Sequence, residues 1–78
     1  MHTIEFPLRG EFVALCNLLK LTGIADSGGK GKLLVANGEV TVDRRPEGRK
    51  AAKIRAGQVV ECAGRRIRVV AAVAARGK

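Results

Sequence analysis

Apolar and polar positions change period several times along the chain. His2–Phe6 alternates weakly and Pro7 follows, which predicts a short edge strand ending there, since proline donates no ladder hydrogen bond. Over Glu11–Leu21, Phe12, Leu15, Cys16 and Leu19 recur at i, i+3, i+4 and i+7, the spacing of one helix face. Glu11 would lie in the first turn and Lys20 in the last, each matched to the helix dipole. Gly23 stops that helix. A second helix is expected to start at Ser27, where Asp26 or Ser27 can accept a free backbone N–H as N-cap. Leu33, Leu34, Val35 and Ala36 give it apolar content, and Asn37-Gly38 ends it. Gly28, Gly29 and Gly31 are each up to about 1 kcal/mol worse than alanine in a helix. Something must favour glycine there, either the close approach of a neighbour or a ligand.

After Gly38 the period becomes two, and Glu39–Asp43 reads as a strand. Pro46 and Gly48 mark the next stretch as a loop at its start, and Ala56-Gly57 makes a turn. Val59, Val60 and Cys62, then Ile67, Val69 and Val70, flank Ala63-Gly64, which signals a hairpin. The tail Ala71–Lys78 has no clear period and is expected to fray, with an extension of the last strand or a short helix as the alternatives; no internal repeat is visible. A chain of 78 residues makes one domain, 1–78, with its core over about 8–70. Such a chain buries only roughly 60% of its unfolded surface, which excludes a two-domain enzyme with an interdomain cleft. The expected fold is α+β, two N-terminal helices packed on a small, mostly antiparallel sheet.

Charge changes this picture most. Fifteen basic residues face seven acidic ones, a net +8. Residues 1–29 carry net −1, so all of the excess lies beyond residue 29. A polyanionic partner follows, and a charge this polarised suits a binding face better than general solubility. There is no Trp or Tyr, and only Phe6 and Phe12. Single-strand binders stack bases on aromatic platforms, so backbone charge and shape would have to dominate here. Cys16, Cys62 and His2 cannot supply four zinc ligands, and no metal or cofactor is expected. Glu5, Arg9 and Glu11 interrupt any signal-like N-terminal run, so reduced thiols and a cytoplasmic location are expected. No apolar run approaches the roughly 20 residues of a membrane span, and no membrane partner is expected.

Gly28-Gly29-Lys30-Gly31-Lys32 invites comparison with a nucleotide-phosphate loop. Gly23 and Gly28 have the Walker spacing, but Gly29 stands where lysine is required, and the magnesium-binding hydroxyl is missing. The same segment fits a simpler role. Ser27 and the free N–H groups of residues 28–30 would bind a phosphate oxygen at a helix N-terminus, with Lys30 and Lys32 beside it. An ordinary cap with two solvated lysines is the competing reading. Arg44, Arg45, Arg49, Lys50, Lys53 and Arg55 form a second constellation, opposed only by Glu47. Lining one surface, such residues neutralise phosphates and release counterions; a solvated basic loop is the alternative. Arg66 and Arg68 would share the outer face of a strand beside Arg65, more a soluble sheet surface than a site. Without a Ser/His/Asp set or paired carboxylates, catalysis has almost no support.

Leu21-Thr22-Gly23-Ile24-Ala25, then Ser27 and a basic helix, then Asn37–Asp43, and later Lys53-Ile54 and Gly57-Gln58-Val59-Val60, follow one another in a familiar order. The string resembles the ribosomal protein S4 RNA-binding domain family over roughly 45 residues, in particular its small stand-alone bacterial branch. That family reads Gly-hydrophobic-Ala, Ser/Thr, helix, Gly-x-Val-x-Val-Asn/Asp. Three departures stand out. Gly28 replaces the usual Arg after the Ser, Gly31 a common Ala, and Asp43-Arg44 the usual Asn-Gly or Asp-Gly turn. The resemblance implies an RNA surface built from the two helices and the following strand-loop. It carries over to Ser27, Lys30, Lys32 and the basic loop with Arg44, Arg45, Arg49, Lys50 and Lys53. The expected function is non-catalytic binding of structured RNA by a monomer, with ribosomal and transfer RNA as candidate partners. A DNA-binding helix-turn-helix module and a basic module docking on an acidic protein are the rivals. Against the first, the glycine-rich start of the second helix offers no side chains that read bases bidentately.

Overall fold

A computed structural model describes residues 2–71. The elements run β1 (His2–Leu8), β2 (Val13–Ala14), α1 (Leu15–Leu21), α2 (Gly28–Ala36), β3 (Val40–Val42), β4 (Arg45–Pro46), β5 (Lys53–Ile54), β6 (Val59–Cys62) and β7 (Arg65–Ala71). Five strands form a sheet in the order β1-β7-β6-β3-β4, and β2 pairs with β5 in a separate ribbon. The α+β class stands, with two corrections. Two strands precede the helices, so the helices are not the N-terminal elements. The sheet is mixed, because β1 runs parallel to β7 while its other pairs are antiparallel. Of the expected tail only Ala71 is described, as the end of β7; residues 72–78 lie outside the described residues.

The hairpin around Ala63-Gly64 forms as its pattern requires. Val60 and Cys62 on β6, and Ile67 and Val69 on β7, point inward and are buried. On β1 the strand continues through Pro7 to Leu8, past its predicted end. An edge strand needs ladder donors on one side only, so proline is tolerated there. Leu15, Leu18 and Leu19 of α1, Leu34 and Val35 of α2, Val40 and Ile54 complete one core with these strands.

α1 begins at Leu15, four residues later than the apolar spacing suggests. Val13 and Ala14 pair with Ile54 and Lys53 instead of turning into helix. The first N–H groups of α1 then find acceptors in a distant loop. Leu15 donates to the Ala52 carbonyl at 2.9 Å and Cys16 to the Lys50 carbonyl at 3.0 Å. Phe12 and Glu11 therefore lie outside the helix, and its first turn holds no acidic residue. α2 starts as expected, with Ser27 as N-cap and its Oγ accepting from Lys30 N–H at 3.2 Å. Gly31 is explained by a neighbour, since a Cβ there would stand 2.8 Å from the Cys16 carbonyl oxygen of α1. Gly28 has no atom within 4 Å of such a Cβ, so packing does not account for it. Between β3 and β4, Asp43 and Arg44 turn the chain at φ 51° and 70°. The Asp43 carboxylate accepts from Val59 N–H at 3.0 Å and from Gln58 Nε2 at 3.3 Å.

Candidate functional site

One residue joins the two basic constellations. The N–H of Cys16 holds the loop at Lys50, and its carbonyl abuts Gly31 of α2. The loop is thus fixed beside α2 by backbone contacts that do not depend on its basic side chains. Between them runs a shallow groove of about 390 Å³, lined by Lys32, Val35 and Ala36 of α2 and by Gly48–Ala51 of the loop. Its floor is aliphatic, its cations are Lys32, Arg49 and Lys50, and no carboxylate among the described residues lines it. Arg49 is turned toward Glu47, whose Oε2 accepts from the Arg49 N–H at 3.1 Å and from its Nε at 3.3 Å. That side chain remains 84% exposed, so the pair adds little energy and leaves the guanidinium free to turn to a phosphate. A second depression, lined by Arg49, Ala51, Ala52 and Lys53, continues the basic surface toward β5.

The other candidate residues are placed differently. Ser27 and Lys30 stand at the N-terminal end of α2 and do not line the groove. Ser27 Oγ satisfies Lys30 N–H, which leaves the N–H groups of Gly28 and Gly29 facing outward in the first turn, as helix geometry dictates. Arg45 is exposed on the edge strand β4. Arg44 lines a separate depression of about 420 Å³ with Asp43, Val59, Glu61, Arg66 and Arg68. This one lies on the outer face of the sheet and holds both signs of charge. Arg66 Nε meets Glu61 at 3.0 Å and Arg68 Nη1 meets Glu5 at 3.3 Å, the solvated sheet face the alternation predicts.

Phe12, which helical spacing assigns to the α1 stripe, stands instead beside Lys53 and Arg55 of the second constellation. Lys53 Nζ lies 5.0 Å and Arg55 Cζ 5.7 Å from the centroid of the Phe12 ring. The signal was present in Lys53-Ile54-Arg55, where a buried Ile54 puts both cations on the opposite face. It is masked in the sequence because Phe12 also fits the helix stripe. Both cysteines are free thiols. Burial, and secondarily the Glu39 carboxylate, raises the Cys62 pKa above the ordinary thiol value. Among the described residues no cluster of His, Cys, Asp or Glu could hold a metal ion, and no helix is long and apolar enough to cross a membrane.

The arrangement matches known proteins along most of its length. The family model described as S4 domain matches residues 6–70. "Putative RNA-binding protein YbcJ" of Escherichia coli (strain K12) is 51% identical over 59 residues, which cover 76% of this chain and 84% of YbcJ. "Probable ribosome maturation protein RlbA" of Bacillus subtilis (strain 168) is 37% identical over 54 residues, 69% of this chain and 76% of RlbA. The solution structure of E. coli YbcJ, described as revealing an "ALFAL" motif involved in RNA-binding, superposes with a TM-score of 0.63 at 44% identity. That match covers 91% of this chain and 89% of YbcJ. The 30S ribosomal protein S4e from Thermoplasma acidophilum shares the fold, with a TM-score of 0.57 at 24% identity over 74% of this chain and 31% of S4e.

Proposed function

The chain belongs to the S4 domain family, and from that premise we propose that it binds structured RNA along the surface shared by α2 and the basic loop, without catalysing a reaction. One observation carries the reading. Lys32, Arg49 and Lys50, from segments distant in sequence, line one groove that no carboxylate among the described residues lines. Cations so arranged neutralise successive phosphates and release counterions. At the α2 N-terminus, the outward N–H groups of Gly28 and Gly29 and the positive end of the helix dipole take a phosphate oxygen. The open space at Gly28 lets a backbone phosphate come close. Lys30 and Lys53 add charge beside these two points, and Arg45 on the edge strand and Arg44 on the outer sheet face serve as outlying contacts. A helix–loop junction or a double-stranded region suits this chemistry, because it reads backbone shape. YbcJ and RlbA bear names that concern RNA binding or ribosome maturation, which supports an RNA partner; we extend this to a monomer acting on ribosomal or transfer RNA in the cytoplasm.

The test reverses charge at α2. In Lys30→Glu/Lys32→Glu, the first acidic residue lies in a first turn where it favours the dipole, so the fold should be kept. RNA binding should be abolished. The parent's log K should fall against log[salt] with a slope of roughly −3 to −5 for about four to six phosphates. A folded double-Glu protein that binds RNA as well as the parent would remove α2 from the site. Equal parent affinity for B-form duplex DNA would reduce the function to generic polyanion binding.

A further inference from the structure

We propose that Phe12, Lys53 and Arg55 form a second contact on the RNA, a site for one unpaired nucleotide. Its base lies against the phenyl ring, and its phosphate lies between the ammonium and the guanidinium. The inference rests on the RNA-binding reading and extends it from paired backbone to a single extruded base. The β2–β5 ribbon builds the site. Val13 pairs with Ile54 and Ala14 with Lys53, so the antiparallel register sets Phe12 opposite Arg55. Ile54 is buried, which sends Lys53 and Arg55 to the other face, the face of Phe12. Arg55 is tethered there through Nη1 to the Glu11 carbonyl at 3.5 Å.

Three features distinguish this corner from an ordinary surface. Phe12 is 43% exposed, whereas Phe6, the other aromatic, packs against the core. Two like charges converge on its ring, with no carboxylate paired to either among the described residues. The ring quadrupole attracts both cations, and an anion placed near both would relieve their mutual repulsion. Lys53 also lines the depression that continues from Arg49, so the ring stands where the basic surface ends. A nucleotide satisfies both elements at once, since every base has a face that stacks on an aromatic ring and every linkage carries a phosphate.

The test uses three RNA hairpins: one fully paired, one with a single unpaired uridine inserted, and one with an abasic ribose in place of that uridine. The abasic form keeps the phosphate and removes only the base. The parent should bind the uridine hairpin about 5- to 20-fold more tightly than the abasic one. This is the low end for stacking, because the base must displace a cation from the ring. Phe12→Ala and Phe12→Leu should erase that preference, and Phe12→Trp should keep it. A purely structural role for the ring would let leucine retain the preference, which would overturn the proposal. Equal parent affinity for the uridine and abasic hairpins would overturn it too, leaving the α2 site intact. A parent that binds none of the three hairpins would sink the RNA-binding reading itself, and this inference with it.

Discussion

Replacing Arg44 with glycine should make the protein more stable and its RNA binding weaker. Arg44 stands at φ 70° and Asp43 at φ 51° in the two-residue turn between β3 and β4. A hairpin turn of this type needs both positions left-handed, and its favoured second residue is glycine. For a residue with a Cβ that conformation costs about 1–2 kcal/mol. Glycine removes most of the strain but loses about 0.5–1 kcal/mol through its greater freedom when unfolded. Arg44 makes no ion pair among the described residues, so little is lost with its side chain. The net expectation is a gain of about 0.5–1 kcal/mol, a rise of roughly 2–8 °C in Tm for a domain of this size. Asp43→Gly provides the contrast. It relieves the same kind of backbone but removes the carboxylate that holds Val59 N–H and Gln58 Nε2, and should melt lower than the parent. Binding is read by titrating RNA at several salt concentrations. Loss of one phosphate contact should flatten the log–log slope by about one. If Arg44→Gly melts below the parent, the turn is not strained by arginine. If it melts higher but binds RNA unchanged, the arginine is not kept there for contact.

Four further outcomes are expected. Ser27→Ala removes the cap on Lys30 N–H and should lower stability by about 1 kcal/mol in urea unfolding, while Ser27→Asp should restore it. Changing Arg49, Lys50 and Lys53 together to alanine should flatten the RNA salt slope by up to about three and leave Tm nearly unchanged, since all three are exposed. At neutral pH iodoacetamide should label half-buried Cys16 well before buried Cys62, as mass spectrometry of the alkylated protein would show. Because folding raises the Cys62 pKa, its protonated thiol contributes stability in full below the ordinary thiol range. That contribution is lost as pH rises through the folded value, so Tm of the parent should fall more at alkaline pH than that of Cys62→Ala.

What the sequence made legible was local. The Ser27 cap, the Asn37-Gly38 stop and the Ala63-Gly64 hairpin each depend on residues a few positions apart, and each stands where the pattern put it. The start of α1 did not, because it is decided by Lys50 and Ala52, more than thirty residues downstream, whose carbonyls cap the helix. Phe12 keeps perfect helical spacing with Leu15 and Leu19, yet strand pairing at Val13 takes priority. Likewise the partner of β1 could not be read from its own alternation, because it is the last described strand. The basic residues were visible as charge. Their division between the α2 groove, the outer sheet face and the Phe12 corner was not, since periodicity alone does not say which loop lies against which helix.

The parallel pairing of β1 with β7 sets an order of events for the newborn chain. His2 lies opposite Arg65 and Leu8 opposite Ala71, a separation of 63 residues all along the ladder. At a synthesis rate of about 5–20 residues per second, β1 waits roughly 3–13 s before its partner exists. Helices and the β6–β7 hairpin can form from near neighbours, but this edge of the sheet closes last and against the largest loop entropy. Until then the apolar side of β1, Ile4, Phe6 and Leu8, has no strand to lie beside. Pro7 breaks the run of ladder donors on this strand, and that limits what a waiting β1 can pair with in the crowded space where chains emerge.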